Sequence, residues 1–199
     1  MFRSIVLRKG PGLAIVLALA ALTAPAASHA RPATPAAKAK ASQGCANTDL
    51  KPTRANLDLV RDAVLCLHNR ERASRGLPRL KENPKLRRAA ARHSDNMVSA
   101  SFFDHTSPSG STMVDRIRRT GYTSRARSWA LGENIAWGSG RLATPAQIHR
   151  SWMNSSGHRA NILQRSFREI GIGIETGLPV RLSAAQSGAT YTTDFGYRR

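Results

Sequence analysis

The chain has 199 residues, with 31 Lys and Arg against 12 Asp and Glu, a formal net charge of +19. That length allows one domain with a real core and argues against two. The charge draws polyanions by a long-range attraction that salt weakens. No aromatic residues interleave with the arginines, which argues against specific nucleic-acid recognition. Arginine enrichment from genomic base composition is the competing explanation of the same charge.

Residues 1–30 read as a secretory signal. Arg3, Arg8 and Lys9 form a basic start, Leu13 to Leu22 an apolar run, and Ser28-His29-Ala30 a small-x-Ala cleavage site. The run is shorter than the roughly 18 apolar residues of a permanent span. Removing residues 1–30 takes away three basic side chains and no acidic one, leaving +16 on a protein expected outside the cytoplasm. Residues 31–55, rich in Ala, Pro and Lys at their start, read as a flexible linker and leader, and residues 56–199 as the folded domain. Cys45 and Cys66 are the two cysteines, and in an oxidising compartment they are expected to pair, stapling the leader to the first helix.

From Leu57, the spacing of Leu57, Val60, Val64 and Leu67 predicts a helix that stops near Gly76. Asn83-Pro84 opens a second helix whose buried face is Leu86, Ala89, Ala90, His93 and Met97, which makes His93 a hydrogen-bonded core histidine by default, with a ligand as the alternative. The turn residues of Asp104 to Gly110 put His105 on a loop, where functional side chains concentrate. Ser111 is expected to cap a third helix through Met113, Val114 and Ile117, ending at Gly121. Glu133, between Gly132 and the run Asn134-Ile135-Ala136, is either an acceptor for backbone amides or a site carboxylate.

A fourth helix rises from Thr144-Pro145 to Trp152 and stops at Ser155-Ser156-Gly157. Either serine can cap the next short helix, leaving His158 near a helix N-terminus, where an imidazole is favoured in its neutral form. It is then either a turn histidine or a ligand. Ile170, Ile172 and Ile174 alternate with Gly171 and Gly173, and Tyr191 to Phe195 follows as a second strand, so the two are expected to pair antiparallel. The glycines call for close packing on one face. Helices first and strands last give an α+β fold.

Six blocks taken together resemble the CAP superfamily of cysteine-rich secretory, antigen 5 and pathogenesis-related 1 proteins, in its bacterial secreted branch. They are Leu67 to Arg72, His105 to Gly110, Gly132 to Ala136, Trp152 to Leu163, Phe167 to Gly173, and Tyr191 to Gly196. The resemblance implies a three-layer α-β-α sandwich around a central antiparallel sheet. It also implies a cleft in which His105, Glu133 and His158 hold a divalent metal, with Ser155 and Asn134 lining it. Ser155 stands where many members carry a second glutamate, which thins the ligand set. Two imidazoles and a carboxylate suit zinc. The function so implied is a non-enzymatic binding module, secreted to the cell envelope or the medium and acting as a monomer. Its expected partners are anionic cell-wall polymers or lipid headgroups, with a lipid or protein as a further ligand. The alternatives are a metal-dependent hydrolase with Glu133 as base, and a serine hydrolase using Ser155 or Ser156 with His158.

Overall fold

The computed structural model describes residues 3–9, 44–180 and 187–199, the first of these as backbone. The expected linker from residue 31 to 43 and most of the expected signal fall outside them. Its basic start, Arg3–Lys9 (β1), forms a strand lying antiparallel along β3 (Trp129–Ser139). The helices are α1 (Leu57–Ala73), α2 (Pro84–Ser99), α3 (Met113–Arg119), α4 (Pro145–Asn154) and α5 (Ser156–Leu163). Strands β2 (Lys81–Glu82), β4 (Glu169–Thr176) and β5 (Gly188–Arg198) complete one sheet in the order β1-β3-β5-β4-β2. The sheet is antiparallel except at its end, where the two residues of β2 run parallel to β4. The expected antiparallel sheet is therefore corrected at that one edge.

Helices cover both faces of the sheet, as the three-layer expectation requires. On one face Val60 and Val64 of α1, Ile148 and Trp152 of α4 and Ile162 of α5 are buried with Ile170, Ile172, Tyr191 and Phe195. On the other face Leu86 and Ala89 of α2 meet Met113 and Ile117 of α3, Tyr122 and Leu131. The alternation of β4 explains the division. Its isoleucines point to the first face and its glycines to the second. A Cβ on Gly171 would lie 2.1 Å from the backbone of Leu86 and Arg87, and one on Gly173 2.2 Å from the backbone of Ala90. Only glycine lets α2 lie this close to the strand.

The helix starts are local devices. Asn83 caps α2 by accepting from the amides of Lys85 at 2.9 Å and Leu86 at 3.4 Å, with Pro84 in the first turn. Thr112, not Ser111, caps α3, in a reciprocal capping box with Asp115. The threonine sits one residue nearer the first helical turn, where its hydroxyl reaches the Asp115 amide. Cys45 and Cys66 form a disulfide that ties the leader to α1.

The Leu67 to Arg72 block owes its pattern to long-range ties. Asn69 donates to the Leu80 carbonyl and accepts from the Leu80 amide, at 3.0 and 2.7 Å. The fully buried Arg72 donates to the carbonyls of Pro78, Ile162, Gln164 and Phe167 at 2.8 to 3.0 Å. One guanidinium thus closes the ends of two segments that a neutral side chain would leave unpaired.

Candidate functional site

Glu133 is the centre of the site. It sits in β3 with no exposure to solvent, its side chain directed to the α2 and α3 face. One carboxylate oxygen accepts from His105 Nδ1 at 2.7 Å, the other from Arg116 Nη2 at 2.7 Å. The second nitrogen of that guanidinium, Nη1, donates to the carbonyls of His105 at 2.9 Å and Ser111 at 3.0 Å. Arg116 therefore ties the loop from residue 105 to 111 to the sheet, and Glu133 supplies its counter-charge. Burial alone raises the Glu133 carboxyl, but the His105 hydrogen bond and the Arg116 charge overcome it and hold the group below the usual carboxylate range.

Asp194 lies directly across from Glu133 on β5 and is also fully buried. Burial, and then the negative charge of Glu133, raise its pKa well above the ordinary value, which favours the neutral form of this carboxyl. His93 completes the cluster from α2. Its Nε2 is 2.9 Å from the Asp104 carbonyl, and burial depresses its pKa to about 4, so the expected core histidine is found as a neutral one. Among the described residues, His105 Nε2, His93 Nδ1 and Arg116 Nε are buried with no hydrogen-bond partner, and the Asp194 carboxyl faces Glu133 as its one hydrogen-bonding neighbour. A concentration of such groups on one face is unusual in a packed interior.

The structure brings His105 and Glu133 together through a hydrogen bond and places His158 elsewhere. It belongs to α5, on the opposite face of the sheet, where Asn134 donates to its backbone carbonyl at 3.1 Å. The side chains of Glu133 and Asn134, adjacent in β3, point to opposite faces. Ser155 stands at the start of α5, but its hydroxyl shares a 2.7 Å hydrogen bond with His158 Nδ1. No side-chain cap bond is made there, which corrects the expected capping role. Among the described residues, no group of three or more His, Cys, Asp or Glu side chains is placed to hold a metal ion. In this arrangement His105, Glu133 and His158 do not converge on one ion, and both Glu133 oxygens are already hydrogen-bonded. Two further carboxylates are also taken up by hydrogen bonds: Glu169 accepts from Asn83 and Tyr122 at 2.6 and 2.7 Å, and Asp104 accepts from the Thr106 amide at 3.0 Å.

The buried cluster opens outward through Arg116. A cavity of about 320 Å³ is lined by Ala89, Arg92, Asn96, Ser107, Ser109, Ser111, Arg116 and Arg119. Its charged side chains are all arginines, and its hydroxyls come from the loop that Arg116 secures. Sequence reasoning passed over Arg116 and Asp194. The signal for Arg116 was its place on the apolar stripe of α3 with Met113 and Ile117, which its charge disguised.

On the apolar face a second histidine pair is buried. His68 Nδ1 and His149 Nδ1 are 3.2 Å apart, and His68 stacks on Phe195 and meets Trp152 edge-on. Burial lowers both pKa values, that of His149 to about 4.

Comparison with known proteins gives this architecture relatives. The Bacillus subtilis protein YkwD is 34% identical over 143 residues, covering 71% of this chain and 52% of its own length. The Bacillus subtilis membrane protein YlbC is 30% identical over 112 residues, covering 56% of this chain and 30% of its own. The chain thus spans about half or less of these two relatives. Among solved structures, an extracellular protein containing an SCP domain from Bacillus anthracis superposes with a TM-score of 0.52 at 27% identity, covering 69% of this chain and 42% of that one. An outer surface protein from Borrelia burgdorferi shares the fold, with a TM-score of 0.52 at 17% identity over 74% of this chain and 96% of that one. Residues 65–179, more than half of the chain and the span holding α2, the His105 loop, Glu133 and α5, match the CAP, or cysteine-rich secretory protein, family, and the chain belongs to it.

Proposed function

We propose that this chain is an extracytoplasmic, non-catalytic CAP module that binds anionic components of the cell envelope. The observation that carries the reading is the bonding of Glu133. With one oxygen on His105 and the other on Arg116, the carboxylate is committed to holding an arginine at the floor of a cationic cavity. A general base needs an oxygen within reach of the proton it removes. The net charge, +16 once the signal-like residues 1–30 are removed, adds long-range attraction to the same targets. The extracellular relative and the signal-like start support the location.

Co-sedimentation with anionic wall polymer or anionic vesicles, at about 10 mM and about 1 M salt, tests the reading, because screening shortens from roughly 30 to 3 Å over that range. Binding at low salt and release at high salt is the expected result. No binding at either salt contradicts it. Binding should also survive a chelator, since it rests on arginines. Zinc uptake in a one-to-one ratio, lost in both His105→Ala and His158→Ala, would instead support the metal reading and require these elements to rearrange.

A second reading has one observation in its favour, the 2.7 Å contact of the Ser155 hydroxyl with His158 Nδ1. A serine nucleophile needs such a base within hydrogen-bond reach. The pair also braces the start of α5, three residues apart. Labelling with a fluorophosphonate separates the two roles. On the binding reading Ser155 stays unmodified.

A further inference from the structure

The cavity at Arg116 has a companion along the same helix. A second cavity, of about 580 Å³, is lined by Lys85, Gly121, Ser124, Arg125, Ala126, Arg198 and Arg199. Lys85 lines this one, whereas Ala89, Arg92 and Asn96 line the first. These four positions recur at helical spacing and form one stripe of α2. The opposing walls are likewise continuous in the chain. Arg116 and Arg119 of α3 serve the first cavity, and the loop that follows, Gly121 to Ala126, serves the second. Lys85 Nζ donates to the Gly121 carbonyl at 3.0 Å, joining the two walls.

The charged side chains lining both cavities, among the described residues, have one sign. Arg92, Arg116 and Arg119 in the first, with Lys85, Arg125, Arg198 and Arg199 in the second, are seven cationic side chains beside no carboxylate side chain. Each cavity also holds one arginine positioned from behind by a carboxylate outside its lining. Glu133 pairs with Arg116 at 2.7 Å, and Glu169 with Arg198 at 3.5 Å. Carboxylates so placed hold the guanidinium, and Nη1 of each arginine also donates to carbonyls, those of His105 and Ser111 for Arg116 and that of Tyr122 for Arg198. Direct anion contact therefore falls mainly to Arg92 and Arg119 in the first cavity and to Lys85, Arg125 and Arg199 in the second. The hydroxyls of Ser107, Ser109, Ser111 and Ser124 add donors suited to phosphate oxygens.

From Lys85 to Arg92 the helix rises about 10 Å, at 1.5 Å per residue. We propose that the two cavities are successive subsites for one linear phosphate polymer, lying along α2 between that helix and the α3 segment with a phosphate in each. This rests on the reading of the chain as a binder of anionic envelope components and names the chemistry and the place. A linear chain fits two recessed subsites in a row better than a flat bilayer surface does. Simultaneous engagement of both multiplies their affinities as far as the chain can span them.

The test uses the full chain with inorganic polyphosphate as probe, in titration calorimetry at fixed salt. Long polyphosphate should bind about tenfold or more tightly than tripolyphosphate, per phosphate, because only the long chain reaches both cavities. Arg92→Gln and Arg125→Gln each change one exposed residue, one per cavity. Together they should lower long-chain affinity by about tenfold or more, against about threefold or less for the charge-matched pair Arg54→Gln and Arg150→Gln on exposed positions outside both cavities. Equal losses in the two double variants overturn the subsites and leave diffuse charge attraction standing. An equal loss of binding to phosphatidylglycerol vesicles and to polyphosphate overturns the choice of a linear polymer. Absence of binding to every polyanion at low salt overturns the envelope reading as well.

Discussion

The two faces of the sheet solve the same packing problem with opposite chemistry. Under α1, α4 and α5 the sheet presents isoleucine, tyrosine and phenylalanine, and stability there comes from apolar area removed from water. Under α2 and α3 it presents glycine, threonine, Glu133 and Asp194, and contact depends on close backbone approach and satisfied charge. The apolar face tolerates loss of fit in small steps. The polar face does not, because a misplaced methyl meets backbone and an unpaired charge has no water to turn to. The cationic cavities belong to the polar face, where rigid placement of arginine is available.

Neighbouring residues in β4 give the sharpest contrast. Gly171→Ala adds one methyl toward α2, where it would meet backbone at 2.1 Å, while Ile172→Val removes one from the other face. We expect the glycine change to cost about 3 kcal/mol or more and the isoleucine change about 1 kcal/mol, read as shifts in urea midpoint. Equal costs would break the comparison.

Glu133 is the next largest lever. Glu133→Gln strips the counter-charge from Arg116, which is only 7% exposed, and should cost about 3 kcal/mol or more. Adding Arg116→Gln should recover part of that loss, since the stranded charge is then gone. Additive losses in denaturant titration would show that the two side chains act separately.

These two contrasts also show what could be read from the sequence and what could not. The apolar face was legible. Val60, Val64 and Leu67 recur at helical spacing, and the isoleucines of β4 alternate, because burial on one side of an element leaves a period. Asn83-Pro84 gave the start of α2 for the same local reason. On the polar face the α2 stripe and the close-packing glycines of β4 were legible, but of its charged and titratable groups only His93, His105 and Glu133 were. Arg116 looks like its neighbours Arg118 and Arg119 until the fold brings β3 beside it. Asp194 lies between Thr193 and Phe195, and nothing local says that its cross-strand partner is another acid. The family pattern grouped His158 with His105 and Glu133, whereas the layers place it on the far side of the sheet.

The disulfide strengthens the apolar side, where α1 packs. Reducing the Cys45–Cys66 bond should lower stability by about 3 kcal/mol while the fold persists, as a lower thermal midpoint with unchanged far-ultraviolet dichroism. Loss of the dichroism at room temperature would mean that the core does not hold alone.

Acid probes both faces. Burial holds His149 and His93 at about 4, below the 6.5 of an exposed histidine, and lowers His68 in the same direction. Between about pH 6.5 and 4 the unfolded chain takes up protons at these histidines that the folded one refuses, so their contribution falls as pH falls. The raised Asp194 carboxyl works the other way and lowers stability as pH rises above its ordinary 3.8. His149→Gln should remove part of the histidine slope, a change of about 3 kcal/mol across the window. A slope unchanged in this variant would assign it to other groups.

The central claim is that binding of anions is a property of one face. Amide chemical shifts recorded while long polyphosphate is added test it most directly. The account predicts changes along α2, from Ser107 to Arg119 and from Gly121 to Ala126, with α1, α4 and α5 left in place. Shifts scattered over exposed arginines on both faces, Arg54 and Arg150 included, would contradict it.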